Sequence, residues 1–128
     1  MLAEEEEMFE LTVEMPFSAA HRLPEHPGRC ARLHGHSYRA LITVAGERLD
    51  AQGMVVDFGD LKELCGRVIA PLDHTYLNEL PAFAEAAPTA EAIAQHIHRG
   101  VSAQLEGAVR LARVTVYESE TSFAAYWE

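Results

Sequence analysis

Basic residues are scarce in this chain of 128 residues, where 10 Lys and Arg stand against 20 Asp and Glu and the formal net charge is -10. Non-specific binding to nucleic acid rests on clustered cations that displace counterions from phosphates, so this balance argues against a general nucleic-acid binder. Any anionic ligand must be met by locally placed arginines. Cysteine is scarce too: two thiols, Cys30 and Cys65, are too few for a disulfide framework and suit a reducing compartment. No apolar run approaches the ~20 residues a helix needs to cross a bilayer. Met1 to Glu10 carries acids where a secretory signal would carry a basic patch and then an apolar stretch, so a cytoplasmic location is expected. Linkers, repeats and low-complexity tracts are also lacking. Residues 1–128 read as a single domain, with residues 1–8 a flexible, solvated acidic tail around Glu4 to Glu7.

Hydrophobic residues make up 48% of the chain, enough for one compact core. Phe9, Leu11 and Val13 alternate with polar residues up to Pro16, and the alternation resumes from Phe17 to His21, so this segment reads as a strand with an edge position or bulge at the proline. Leu23 to Leu33, with two prolines and a glycine, reads as a loop. A second strand is expected from His34 to Ala45, followed by turn chemistry and a hairpin-type connection over Gly46 to Gly53. The period then changes: Phe58, Leu61, Leu64, Cys65, Val68 and Ile69 follow Asp57 at helical spacings, predicting a capped helix that ends near Pro71. Thr89 can cap a second helix with the stripe Ile93, Ile97, Val101, Leu105 and Val109. Strands over Arg110 to Glu118 and Phe123 to Trp127 complete the order ββααββ, a two-layer α+β domain with a four-stranded antiparallel sheet and two helices on one face. Two open sheet edges and a small core predict a homo-oligomer in which edge strands pair between subunits.

The segment Cys30-Ala31-Arg32-Leu33-His34-Gly35-His36 carries the strongest chemical signal. Two histidines two apart on a strand project from one face about 7 Å apart and can reach one metal ion. His21, ending the neighbouring strand, is the natural third ligand, and three protein ligands with an open fourth position mark a catalytic zinc site. Cys30 has two readings: a fourth ligand that closes a structural site, or a thiol beside the metal whose thiolate serves as a base. Asp73-His74 reads either as a proton relay to a thiol or as a helix-terminal acid and a surface histidine. Glu118 reads as a carboxylate at a strand end, and Cys65 as a buried small hydrophobe on the first helix. His96 and His98, two apart on a helix, cannot share one face and read as structural or solvated. His26 has no partner in view. A metal-binding H-x-H on a strand also occurs in cupin-like iron oxygenases, but two helices in mid-chain count against that architecture.

Phe17-Ser18-Ala19-Ala20-His21, Cys30 to His36, Leu72 to Asn78, Pro88 to Glu91 and Val116-Tyr117-Glu118 together resemble the 6-pyruvoyltetrahydropterin synthase family. The three-residue gap between Cys30 and His34 is similar to the bacterial 6-carboxytetrahydropterin synthases of queuosine biosynthesis. The resemblance runs from about Phe9 to Glu118; Thr121 to Glu128 matches no family motif. It implies the tunnelling fold, in which ββααββ subunits join their sheets into a barrel, commonly as hexamers, with active sites between subunits. By the same resemblance His21, His34 and His36 correspond to zinc ligands, Cys30 to the catalytic base, Asp73 and His74 to its relay, and Glu118 to the acid that anchors a pterin. Thr89 falls in a further pterin-contacting stretch, and Arg22 and Arg32, beside the ligands, are candidates for the substrate's triphosphate. The reaction implied is zinc-dependent conversion of 7,8-dihydroneopterin triphosphate to 6-carboxy-5,6,7,8-tetrahydropterin. Sibling reactions on the same site, triphosphate elimination to a 6-pyruvoyl product or cleavage to a hydroxymethyl pterin, are the alternatives, as is a non-catalytic zinc protein.

Overall fold

The computed structural model describes residues 7–128; the acidic tail read over residues 1–8 lies, up to residue 6, outside them. Glu7 and Met8 are exposed and precede the first strand. The long strands β1 (Phe9–His21) and β2 (His34–Gly46) form an antiparallel hairpin. Helix α1 (Phe58–Ile69), a two-residue strand β3 (Thr75–Tyr76), helix α2 (Ala90–Ser102), and strands β4 (Arg110–Tyr117) and β5 (Phe123–Tyr126) follow. The sheet order is β3-β1-β2-β4-β5, with every pair antiparallel except β1 and β3.

The sheet therefore has five strands rather than four. Thr75 and Tyr76 pair in parallel with Ala19 and Ala20 over so short a run that no periodicity could reveal the strand. Pro16 lies within an unbroken β1, opposite Arg39, and the edge reading holds because β3 covers β1 only at Ala19 and Ala20. The one register irregularity falls elsewhere, between Thr43 and Val44 where β2 meets β4. Turn chemistry after β2 is also used differently: Asp50 to Gly53, with Gly53 at φ 83°, leads into α1 rather than into a hairpin partner.

Two-residue alternation decides which face is covered. Val13, Phe17 and Ala19 of β1, Tyr38, Ala40 and Ile42 of β2, and Val114 and Val116 of β4 are buried together with the helices. Helix α1 packs against β1, and α2 against β4 and β5. Each helix starts where a cap was expected: Asp57 accepts from the Asp60 amide at 3.0 Å and Thr89 from the Ala92 amide at 3.1 Å. Phe58, the first residue of α1, falls outside the stripe at 52% exposure. Helix α2 stops at Ser102, short of the predicted stripe, because the chain must reverse through Gly107 (φ 73°) to begin β4. Leu105 and Val109 still pack on the core from that turn. Cys65 is buried, and burial pushes its thiol up to about 11, as an inert core residue requires.

The helices touch at Gly100, where an added Cβ would lie 2.8 Å from Val68 Cγ1. Gly100→Ala gains about 1 kcal/mol of helix propensity but forces an overpacking that costs about 1–3 kcal/mol. A net loss of stability is expected, read as a lower midpoint in chemical denaturation with an unchanged slope.

Candidate metal centre and its cavity

The β1–β2 register builds the centre directly. His21 lies opposite His34 and Ala19 opposite His36, so the small Ala19 side chain leaves room across from the second histidine. The three rings converge with centroids 4.5, 5.0 and 4.9 Å apart. Glu118 follows β4 two residues beyond buried Val116, and the strand period turns its carboxylate to the same side. One donor atom from each of His21, His34, His36 and Glu118 lies within 4.8 Å of the other three, an arrangement able to hold a metal ion. Cys30 is not in that group.

Hydrogen bonds on the far side of two rings set the tautomers. A carbonyl oxygen only accepts, so His21 Nδ1 must donate to the Pro88 carbonyl at 2.8 Å, and His34 Nδ1 to the Arg32 carbonyl at 2.7 Å. Both Nε2 atoms then carry lone pairs toward the centre, the arrangement metal ligation requires. The Nε2 atoms of His21 and His36 are buried and make no hydrogen bond, an orphaned state that a bound cation would resolve. Burial, more than any neighbour, lowers the His36 pKa; His21 and His34 add to the shift and Glu118 opposes it. The ring is thereby held neutral, the ligating form. Tyr38, buried beneath the centre, places its hydroxyl 3.3 Å from His21 Nδ1, and burial raises its pKa so that it stays a neutral phenol. The donor set of three imidazoles and one carboxylate fits zinc.

A cavity of about 590 Å³ opens beside the centre, lined by Arg29, Cys30, Arg32, His34, His36 and Glu118. Cys30 sits in a short 3-10 turn, Arg29–Ala31, partly exposed to this space. Arg32 lines the cavity as its place in the sequence suggested, whereas Arg22 turns away and donates from Nε to the Ala31 carbonyl. Arg29 lines it too; sequence reasoning passed over it, although it directly precedes Cys30 and the cation was legible there.

Asp73 and His74 lie elsewhere in the chain's own fold. His74 and residues of β3 line a second cavity, of about 510 Å³, with Ser18, Gly35, His36 and Ser37; His36 borders both cavities, and Cys30 does not line this one. The Ser18 amide donates to Asp73 Oδ1 at 2.9 Å, and the His74 amide donates back to the Ser18 carbonyl, docking this loop on β1. His74 adopts φ 56°, a left-handed conformation that a non-glycine residue holds only where its surroundings enforce it. Its Nδ1 lies 2.9 Å from Asp73 Oδ1. The Ser18 amide is the main reason the Asp73 carboxyl titrates below its ordinary value, the His74 contacts adding to it. A folded pKa below the unfolded one contributes stability above the unfolded value and loses it as pH falls through the folded value. Asp73→Asn should therefore flatten the acid limb of a stability-versus-pH curve by lowering the neutral-pH plateau, and leave stability at pH below the folded value nearly unchanged.

The remaining expectations resolve simply. Thr89 lines neither cavity, its hydroxyl being engaged in capping α2. His98 is buried with its ring edge-on to Tyr126, and His96 packs against Phe83.

Fold and site together define a two-layer α+β protein with a tri-histidine, one-carboxylate centre at the end of its sheet. The 6-pyruvoyl tetrahydropterin synthase family model matches residues 10–128, and the chain belongs to that family. A Bacillus subtilis protein named 6-carboxy-5,6,7,8-tetrahydropterin synthase is 41% identical over 126 residues, covering 92% of this chain and 84% of its own length. A Synechocystis protein of the same name is 46% identical over 121 residues, covering 89% of each chain. The solved structure of Caenorhabditis elegans 6-pyruvoyl tetrahydropterin synthase superposes with a TM-score of 0.86 at 25% identity, covering 98% of this chain and 99% of that one.

Proposed function

We propose that the protein is a zinc-dependent lyase that takes 7,8-dihydroneopterin triphosphate and water to 6-carboxy-5,6,7,8-tetrahydropterin, acetaldehyde and triphosphate. The observation that carries this reading is the convergence of His21, His34, His36 and Glu118 into one donor group, of which His34, His36 and Glu118 line the cavity that also holds Cys30. The names of the Bacillus and Synechocystis relatives support the 6-carboxy product.

His21, His34 and His36 would hold the ion, and zinc bound there would polarise oxygen atoms of the substrate side chain and ease their deprotonation. Glu118 accepts the 2-amino group and adjacent ring N–H of the pterin in a paired, charge-assisted contact that fixes the ring's orientation. Cys30, as thiolate, moves protons between side chain and ring, and Asp73 with His74 relays them. His74 lines a different cavity from Cys30 within one chain, so on this reading the relay is completed by a second copy that brings the two together. Arg32, with Arg22 farther from the cavity, would meet the triphosphate, and Thr89 would contact the pterin across the same junction.

Assembly into a barrel of joined sheets, as a hexamer, fits the open outer edge of β5 and the long uncovered edge of β1. Phe123 and Trp127, 60% and 65% exposed, give the β5 end an apolar surface suited to burial against another subunit. The two free thiols fit a cytoplasmic setting, and among the described residues no helix is long and apolar enough to cross a membrane. The product feeds 7-deazapurine (queuosine) formation on this reading.

Product analysis tests it. Incubation of the zinc-loaded protein with 7,8-dihydroneopterin triphosphate should release acetaldehyde and triphosphate together with a 6-carboxy pterin. Triphosphate without acetaldehyde would instead identify a 6-pyruvoyltetrahydropterin synthase, the reading favoured by the family model's own description.

A further inference from the structure

His21 Nδ1 has two oxygen neighbours rather than one. The Pro88 carbonyl lies at 2.8 Å and the Tyr38 hydroxyl at 3.3 Å, and both contacts are buried. Because the carbonyl can only accept, the nitrogen carries the hydrogen and has no lone pair left in the ring plane. The hydroxyl oxygen therefore accepts as well, and its own hydrogen rotates aside. One N–H is shared between two oxygens drawn from different layers of the fold, Pro88 from the segment before α2 and Tyr38 from β2.

Packing explains the ring of Tyr38 but not its oxygen. The residue is 1% exposed, lies opposite Phe17 in the β1–β2 register, and stacks on that ring at 4.9 Å with 8° between the planes. Phenylalanine would fill the same space without the cost of burying a hydroxyl. His34, by contrast, is steered by the carbonyl of Arg32, two residues away. Among the described residues, Tyr38 is the one side chain that hydrogen-bonds the outer nitrogen of a metal-ligand histidine.

Resting on the reading that the tri-histidine group holds zinc, we propose that Tyr38 is a positioning residue for the metal. Its hydroxyl takes the second arm of the His21 N–H, and so fixes both the rotation of the imidazole and the tautomer that turns the Nε2 lone pair into the centre. Held by the Pro88 carbonyl alone, the ring can swing about a single contact. Once it swings, the tautomer with its hydrogen on Nε2 competes, because Glu118 Oε1, 3.3 Å from that nitrogen, attracts a donor there. A histidine protonated at Nε2 cannot ligate through it.

The test is Tyr38→Phe, which keeps the ring and removes the oxygen. Zinc affinity measured by chelator competition should fall about tenfold, the low end of what losing such a partner costs, since the shorter arm to Pro88 remains. In the metal-free variant, nitrogen NMR of the histidine rings in alkaline buffer should show His21 gaining the Nε2–H form. The denaturation midpoint of that metal-free variant should stay at or above the wild-type value. Phe17→Leu is the companion variant: it removes the stack and leaves the hydroxyl, so the midpoint should fall while zinc affinity and the His21 nitrogen shifts stay near those of the wild type. Equal zinc affinity in Tyr38→Phe and wild type overturns the proposal. So does an affinity loss with unchanged nitrogen shifts, or one that Phe17→Leu reproduces in proportion to its lost stability. Failure of the underlying reading looks different: the wild type itself then binds no zinc, which removes the positioning role with it.

Discussion

Cys30→Ala should leave the metal bound and lower turnover by about 10²–10⁴-fold, the range spanned by loss of a positioned acid or base. The geometry separates this outcome from its opposite. Cys30 stands outside the four-donor group, so its thiol is not needed to hold the ion. It sits in a 3-10 turn with no buried residue, so truncation removes little packing and the fold should survive. Metal content by mass spectrometry, triphosphate release and a denaturation curve measured on one preparation decide the matter. Loss of metal and fold together would mean that Cys30 closes a structural site, and the catalytic assignment would fall.

His21→Ala should have the largest combined effect, abolishing stoichiometric metal binding and lowering the stability of the metal-free protein by about 2–4 kcal/mol. His21 is fully buried, and its removal leaves a cavity beneath two aromatic rings and strips the Pro88 carbonyl of its donor. That carbonyl immediately precedes the cap of α2, so the start of the helix loses its tie to the sheet. His34→Ala is the informative contrast. Its side chain is partly exposed and bonds only the nearby Arg32 carbonyl, so metal binding should fail while the metal-free protein unfolds at nearly the wild-type denaturant concentration. Comparing metal-free forms matters, because a bound ion stabilises whichever protein retains it. Equal destabilisation by the two variants would show that His21 has no structural role beyond ligation.

The largest elements were legible in the sequence because their periods are local. The alternation from Phe9 and the helical spacing behind Asp57 and Thr89 depend on side chains within a few residues of one another, and both caps form as those residues imply. What escaped was set by distance in sequence. β3 pairs two residues with β1 across more than fifty positions, and nothing in Thr75-Tyr76 itself announces a strand. The end of α2 was overrun because Leu105 and Val109 keep the spacing of a helix while packing from a turn. Phe58 has the right spacing but stands at a helix start, where the core does not reach it.

The same division runs through the site. The sequence by itself determined the donors: His34 and His36 must share one face because strand side chains alternate, and with His21 ending the paired strand they make a tri-histidine centre wherever the hairpin closes in register. Tertiary structure alone decided the fourth donor and the surroundings. Register across β2 and β4, not spacing, carries Glu118 over some eighty residues of chain to His36 Nε2, and keeps Cys30 out of the donor group. Packing of α2 supplies the Pro88 carbonyl that fixes the His21 tautomer, and docking on Ser18 puts His74 in a separate cavity from Cys30. Local chemistry chose the residue types that can hold a metal; long-range pairing, which no short window of sequence encodes, decided which of them meet.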